Sequence, residues 1–297
     1  MKFAAIDIGS NAARLQISSV LENEGVISFK RIEYVRFALR LGHDVFSDGM
    51  ISPESEVRIF KLMHAYKLLM DLHEVKDYAI CATSAMREAS NSSEIITRIH
   101  KILDMKIQLI DGSREAELIN DVVVQSLHPK KNYLHIDVGG GSTELTFFSD
   151  GELVFKKSFN IGTIRLLKDQ VKESDWNEMK DFLRQKTRGH HHVTAIGSGG
   201  NINKVFNLSK RKEGKPLDLD LLKAYHKDFS ELTLAERMQQ YRLREDRADV
   251  IVPALQIYIN AMRWADAEEI YVPKIGLADG LIHTLYDEVG EKKHVTN

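Results

Sequence analysis

Short apolar runs that stop at a small polar turn recur along this chain. The first, Phe3 to Ile8, ends in Asp7-Ile8-Gly9-Ser10-Asn11. Alternation of apolar and polar residues from Ala13 to Ser19, a turn at Glu22-Asn23-Glu24-Gly25 and a run from Val26 to Tyr34 then predict three successive strands. The same layout returns at Tyr133 to Val138, which ends in Asp137-Val138-Gly139-Gly140-Gly141-Ser142-Thr143. It continues through Leu145 to Phe148, the turn Ser149-Asp150-Gly151, and Leu153 to Ser158. Further pairs follow in the same order. Tyr78 to Ser84 is a strand entering a polar loop, as is Val193 to Gly200. Ile107 to Gly112 leads into a helix from Arg114, as Ile270 to Val272 leads through Gly276 into a helix from Ala278. Each half reads as three strands, helix, strand, helix, strand, helix, which is a duplicated α/β domain. The expected domains are 1–123 and 124–297, with the last helix, about 278–290, able to pack back on the first.

Helical periodicity fills the segments between. Ser52-Pro53 predicts an N-cap with proline at the first helical position, and Val57, Phe60, Met63, Leu69 and Leu72 are the expected core stripe. Ser92-Ser93 opens a helix with Ile95, Ile96, Ile99, Ile102 and Leu103 facing inward. A strongly apolar helix is expected from Asp246 to Ala265, carrying Ile251, Leu255, Ile259 and Met262, with Pro253 in its first turns or kinking it. Leu208 to Asp218, with Lys210, Arg211, Lys212, Gly214 and Lys215, reads as an exposed loop.

Length supports the division, because 297 residues exceed what one core usually organises. A hydrophobic fraction of 43% and a charged fraction of 28% are those of a folded globular chain. The formal net charge of -2 argues against a general nucleic-acid binder, so any polyanion has to be held by local groups. Cys81 is the only cysteine, which excludes an intrachain disulfide framework and fits a reducing compartment. The start, Met1 to Asp7, reads as a strand and not as a signal segment, and no apolar run is long enough to span a bilayer. A cytoplasmic location is expected.

A strand that ends in Asp-x-Gly and turns tightly can present backbone N–H groups to an anion. One copy could equally be a plain hairpin turn. Two copies at equivalent points of two repeats favour phosphate, with Gly9-Ser10-Asn11 and Gly139-Gly140-Gly141-Ser142 as opposing walls of one cleft. Asp7 and Asp137 beside such a phosphate imply a hard cation such as Mg²⁺. Glu115, at the start of a helix, is a candidate to orient water, though on its own it also reads as an ordinary helix-start charge. Arg14 and Arg87 could pair phosphoryl oxygens or simply be solvated. His190-His191-His192 is read as a surface loop, since neighbours in sequence do not converge on one ion.

The residues now carry a resemblance. The paired Asp-x-Gly hairpins are similar to those of the actin, Hsp70 and sugar-kinase superfamily. Ala4 to Asn11 with Arg14-Leu15, Ala82 to Asn91, and Asp137 to Leu145 resemble, within it, the exopolyphosphatase and guanosine pentaphosphate phosphohydrolase family. The likeness continues through Gly162, Gly197-Ser198-Gly199-Gly200, Arg247-Ala248-Asp249 and Gly276-Leu277. It departs at Arg114, where the family often has glutamate, and at Ala278-Asp279 in place of Arg-Glu. The chain resembles the family's short, two-domain form.

That resemblance implies two actin-like (ribonuclease H-like) α/β domains with the active site in the cleft between them. It implies Glu115 as catalytic base, and Asp7, Asp137 and Glu144 as holders of Mg²⁺ or Mn²⁺. Phosphoryl oxygens would be bound by Gly9, Ser10, Asn11, Arg14, Thr83, Ser84, Arg87, Gly139, Gly140, Gly141, Ser142, Thr143, Gly199 and Gly200. The implied activity is metal-dependent hydrolysis of the terminal phosphoanhydride of polyphosphate, with guanosine pentaphosphate as the alternative substrate. An ATP-binding kinase or a non-catalytic sensor on the same fold is the more distant alternative. Neither membrane nor nucleic acid is expected as a partner, and a homodimer stays open.

Overall fold

The computed structural model describes residues 1–23, 26–124 and 128–295. They form two compact units, Met1–Val122 with the chain from Leu277 onward, and Val123–Gly276. The first unit runs β1 (Lys2–Ile8), β2 (Ala13–Asn23), β3 (Val26–Phe37), α1 (Leu41–Asp48), α2 (Pro53–Leu72), β4 (Asp77–Ala82), α3 (Ser84–Glu88), α4 (Ser92–Leu103), β5 (Gln108–Leu109) and α5 (Gly112–Val124). Its sheet has the order β3-β2-β1-β4-β5, antiparallel from β3 to β1 and parallel from β1 to β5. Central β1 buries Phe3, Ala4, Ala5, Ile6 and Ile8 without alternation, as a strand covered on both faces must.

The second unit repeats this plan with β6 (Asn132–Val138), β7 (Thr143–Ser149), β8 (Glu152–Phe159), α6 (Thr163–Leu167), α7 (Glu173–Lys186), β9 (Val193–Ser198) and α8 (Gly200–Ser209). An addition follows: β10 (Leu217–Asp218), α9 (Leu219–Glu231), α10 (Leu234–Tyr241) and α11 (Glu245–Ala248). Then come α12 (Ile251–Trp264) and β11 (Ala267–Tyr271). The order β10-β11-β9-β6-β7-β8 matches that of the first sheet, with β10 added at one edge. The chain returns to the first unit as α13 (Leu277–Val295), which packs on β1, β2 and β4.

Several helices differ from the expected pattern. Ser52 does cap α2, its side chain accepting from Ser55 N. The buried stripe of that helix, however, is Ile59, Met63, Tyr66 and Met70, while Val57 and Leu72 are 53% and 80% exposed. Apolar residues surround this helix, so two phases were compatible with its sequence. In α4 the core positions are Ile95, Ile99 and Leu103, and Ile102 faces outward. The helix expected from Asp246 to Ala265 is two helices, α11 and α12. Pro53 and Pro253 both fall in first turns, where a missing N–H costs nothing within the helix. The loop expected from Leu208 to Asp218 is shorter: residues 210–215 are exposed, but Leu208 and Ser209 end α8 and Leu217 is buried in β10.

Candidate functional site

In the second unit β6 and β7 pair with Asp137 opposite Glu144 and Val138 opposite Thr143, and the turn between them closes with Gly139 N donating to Ser142 O at 2.9 Å. Three successive carbonyls of that turn are held by the start of α6. Gly139 O accepts from Thr163 N at 3.1 Å, Gly140 O from Ile164 N at 2.9 Å, and Gly141 O from Arg165 Nε at 2.7 Å. A trans peptide points its N–H opposite its C=O. The N–H groups of Gly140, Gly141 and Ser142 therefore face away from α6, as a row of donors of the kind an anion can meet. Gly162 permits this brace, because a Cβ there would lie 2.3 Å from Gly140 O. Thr143 serves the turn differently: its buried hydroxyl donates to Ile161 O at 2.6 Å.

Carboxylates stand beside the turn. Asp137 and Glu144 are cross-strand neighbours on one face and both are buried, 9% and 2% exposed. Glu144 Oε1 accepts from Ser142 Oγ at 2.7 Å and Ser158 Oγ at 2.8 Å. Asp137 Oδ1 and Tyr258 Oη lie 3.2 and 3.4 Å from where a Cβ on Gly199 would stand, so all three meet at the β9–α8 turn. Tyr258 donates to Ser198 O, and burial together with the Asp137 charge pushes its phenol well above its ordinary pKa. Arg247 packs on Gly200 and donates to Asn201 Oδ1 at 2.7 Å. Among the described residues no group of three or more His, Cys, Asp or Glu gathers as a metal cage. Two buried carboxylates, completed by water and phosphoryl oxygens, are nonetheless the usual setting for Mg²⁺, and Asp137 with Glu144 fits it.

The first unit has the same turn with different side chains. Gly9 N donates to Ala12 O at 3.1 Å, while Ser10 O accepts from Gly42 N at 2.7 Å and Asn11 O from Arg40 N at 2.9 Å. By the same peptide geometry, the N–H groups of Asn11 and Ala12 face away from that brace. Ser10 Oγ meets Ser84 Oγ at 2.8 Å, and Thr83 N donates to Ile8 O at 3.1 Å, which joins the β4–α3 loop to the β1 turn. Asp7 is ion-paired with Arg14, its cross-strand neighbour. Arg87 donates from Nη1 to Ile110 O at 2.7 Å, just ahead of α5. Asp111 caps that helix by accepting from Arg114 N at 2.8 Å, which leaves Glu115 in its first turn. Cys81, opposite Asp7 on β4, has its thiol pushed up to about 12, by burial first and then by Asp7 and Glu115. Both carboxylates thus bear on one sulfur at the C-terminal ends of β1 and β4.

The model of the Ppx/GppA phosphatase family matches residues 19–289. The chain belongs to this family. It is 29% identical over 243 residues to a bifunctional 3-dehydroquinate synthase/phosphatase of Fusobacterium nucleatum, covering 80% of this chain and 35% of that protein. It is 25% identical to a guanosine-5'-triphosphate,3'-diphosphate pyrophosphatase of Pseudoalteromonas translucida, covering 97% of this chain and 60% of that one. The chain thus spans less than two thirds of either curated relative. A crystal structure of an exopolyphosphatase from Cytophaga hutchinsonii matches with a TM-score of 0.83 at 25% identity, over 97% of this chain and 98% of that one. Both units of this Ppx/GppA member are α/β and share one strand order, β3-β2-β1-β4-β5 returning as β8-β7-β6-β9-β11.

Within this Ppx/GppA chain some supporting residues were not foreseen. Arg165 and the start of α6 aim the amides of the glycine turn, and Ser158 holds Glu144, yet each lies beyond the turn it serves in sequence. His135 is wholly buried and meets Ser198 Oγ at 3.0 Å, behind the Gly199 turn. Its place two residues before Asp137 on a central strand was the one available signal. The triple histidine is divided: His190 meets Ser149 Oγ at 3.1 Å and packs edge-on against Phe147, while His191 O accepts from Asn132.

Proposed function

We propose that this chain removes the terminal phosphoryl group of inorganic polyphosphate as orthophosphate, by in-line attack of water, in the cytoplasm and with Mg²⁺ or Mn²⁺ as cofactor. The observation that carries this reading is the row of N–H groups at Gly140, Gly141 and Ser142, fixed by α6 beside the buried pair Asp137 and Glu144. Such donors stabilise charge on equatorial phosphoryl oxygens, which is most of what phosphoryl transfer asks of a protein. A bound divalent cation would neutralise phosphate charge beside Asp137 and Glu144. In the first unit the Asn11 and Ala12 amides, Arg14, Ser84 and Arg87 bind phosphoryl oxygens. Glu115 orients the attacking water and accepts its proton. A carboxylate at a helix start is a weak base, but a loose transition state asks more for position than for basicity. Guanosine pentaphosphate ends in the same anhydride, and the relative from Pseudoalteromonas translucida bears a name of that kind, so it is the second reading. Orthophosphate release from tripolyphosphate, long polyphosphate, guanosine pentaphosphate and ATP, assayed in parallel with Mg²⁺, tests the proposal. Polyphosphate is expected to be the best substrate by kcat/KM. Preference for guanosine pentaphosphate selects the second reading, and release from none of them rejects both.

A further inference from the structure

The two copies of the Asp-x-Gly hairpin differ at one informative position. Seven residues after the aspartate the first copy has Arg14 and the second has Glu144, and in each copy that residue is the aspartate's cross-strand neighbour. The second copy therefore sets two carboxylates side by side, a donor set that attracts a divalent cation. The first sets a carboxylate against a guanidinium, and the pair is made, with Asp7 Oδ2 accepting from Arg14 Nη1. Asp7 Oδ1 and Arg14 Nη1 each lie 3.9 Å from where a Cβ on Gly9 would stand, so the ion pair lies against the anion-facing turn itself. The Arg14 side chain is 26% exposed and that of Asp7 10%, which makes the carboxylate the buried member and the guanidinium the one nearer solvent. A cation approaching Asp7 would meet a fixed positive charge and a carboxylate oxygen already in use.

We propose that Asp7 is a positioning residue that aims Arg14 at a phosphoryl group and is not a metal ligand, so that divalent-cation binding by protein carboxylates belongs to the second unit alone. This rests on the phosphohydrolase reading above. The two hairpins hold equivalent places in the two sheets; one copy answers phosphate charge with a guanidinium and the other with carboxylates that recruit a cation. Arginine in the first copy gives directional, two-pronged hydrogen bonding, which a hydrated ion does not.

The test compares the full-length chain with Asp7→Asn, Asp137→Asn, Glu144→Gln, Arg14→Gln, Arg14→Lys and the double variant Asp7→Asn/Arg14→Gln. Mn²⁺ affinity, read by electron paramagnetic resonance titration without substrate, is expected to fall at least ~10-fold in Asp137→Asn and Glu144→Gln but less than ~2-fold in Asp7→Asn. Tripolyphosphate affinity in EDTA, read by calorimetry, is expected to fall at least ~10-fold in Asp7→Asn and in Arg14→Gln. Arg14→Lys should recover part of that loss, and the double variant should bind no worse than Arg14→Gln. Loss of Mn²⁺ affinity in Asp7→Asn comparable to that in Asp137→Asn overturns the inference. Additive losses in the double variant, or no binding of tripolyphosphate by the wild type in EDTA, overturn it as well. Absence of Mn²⁺ binding in the wild type rejects the metal in the proposed function, and the double-variant comparison still decides the role of Asp7.

Discussion

His135 is wholly buried on β6, and burial pushes its pKa from 6.5 down to about 4. The unfolded chain takes up that proton near pH 6.5 and the folded one only near pH 4. Between those values the unfolded state binds more protons, so stability falls with acid, by at most about 1.4 kcal/mol per pH unit for one group. His135→Gln is expected to flatten the dependence of unfolding free energy on pH between 6.5 and 4 by up to that amount. His226 and His283, also lowered by burial, contribute in the same direction. Urea titrations at several pH values measure this, and an unaltered slope would count against a neutral buried imidazole. Glu115 makes a sharper prediction: Glu115→Gln is expected to leave the melting temperature nearly unchanged while lowering turnover by about two orders of magnitude or more. Near-wild-type turnover would remove it from the mechanism. At this scale the sequence marked the glycines and acids of the turns, because motifs are local. It did not mark Arg165, Ser158 or Tyr258, whose contacts with those turns exist only once the chain folds.

Elements were legible where one physical signal dominated. The two hairpins and the parallel strands β4 and β9 stand where apolar runs meet glycine or polar turns, and α12 buries Ile251, Leu255, Ile259 and Met262 as its periodicity requires. The phase of α2 was lost because exposed Val57, Leu68 and Leu72 broaden its apolar surface, and the addition from β10 to α11 has no counterpart in the first half to predict it. The close approach of α13 to α5 was also hidden. A Cβ on Gly280 would stand 2.1 Å from Leu118 O, one turn after Glu115, so these helices meet backbone to side chain position with no room between. Gly280→Ala is expected to force them apart, destabilise the chain by about 2 kcal/mol or more, and lower activity by shifting the Glu115 turn. Thermal unfolding and kcat on the same preparation test it. A variant as stable and as active as wild type would show that α13 yields without moving α5.

For the whole molecule, a net charge of -2 leaves little long-range attraction for a polymer of phosphates, so binding beyond the terminal group must come from particular cations. The exposed loop with Lys210, Arg211, Lys212 and Lys215 is the strongest local concentration, but its charge is partly answered. Arg211 pairs with Asp218, and Glu213 sets a negative charge among the loop's cations. Exposed pairs of this kind are weak and can exchange partners, so the loop retains some reach for a polyanion. Each phosphate contact releases counterion and steepens the fall of affinity with salt, by analogy with nucleic acids at ~0.7 per contact for a single strand. With Arg211 partly committed, long polyphosphate is expected to exceed tripolyphosphate in its log–log salt slope by at most about 2. That difference should vanish when Lys210, Arg211, Lys212 and Lys215 are all replaced by serine. KM measured against chain length at low and moderate salt, in both proteins, reads it. A small slope difference agrees with modest chain-length preference, favouring short or intermediate polymers over processive degradation of long ones. Equal slopes for long and short chains, unchanged in the loop variant, would remove the loop from substrate binding and leave the terminal-phosphate site as the sole determinant of affinity.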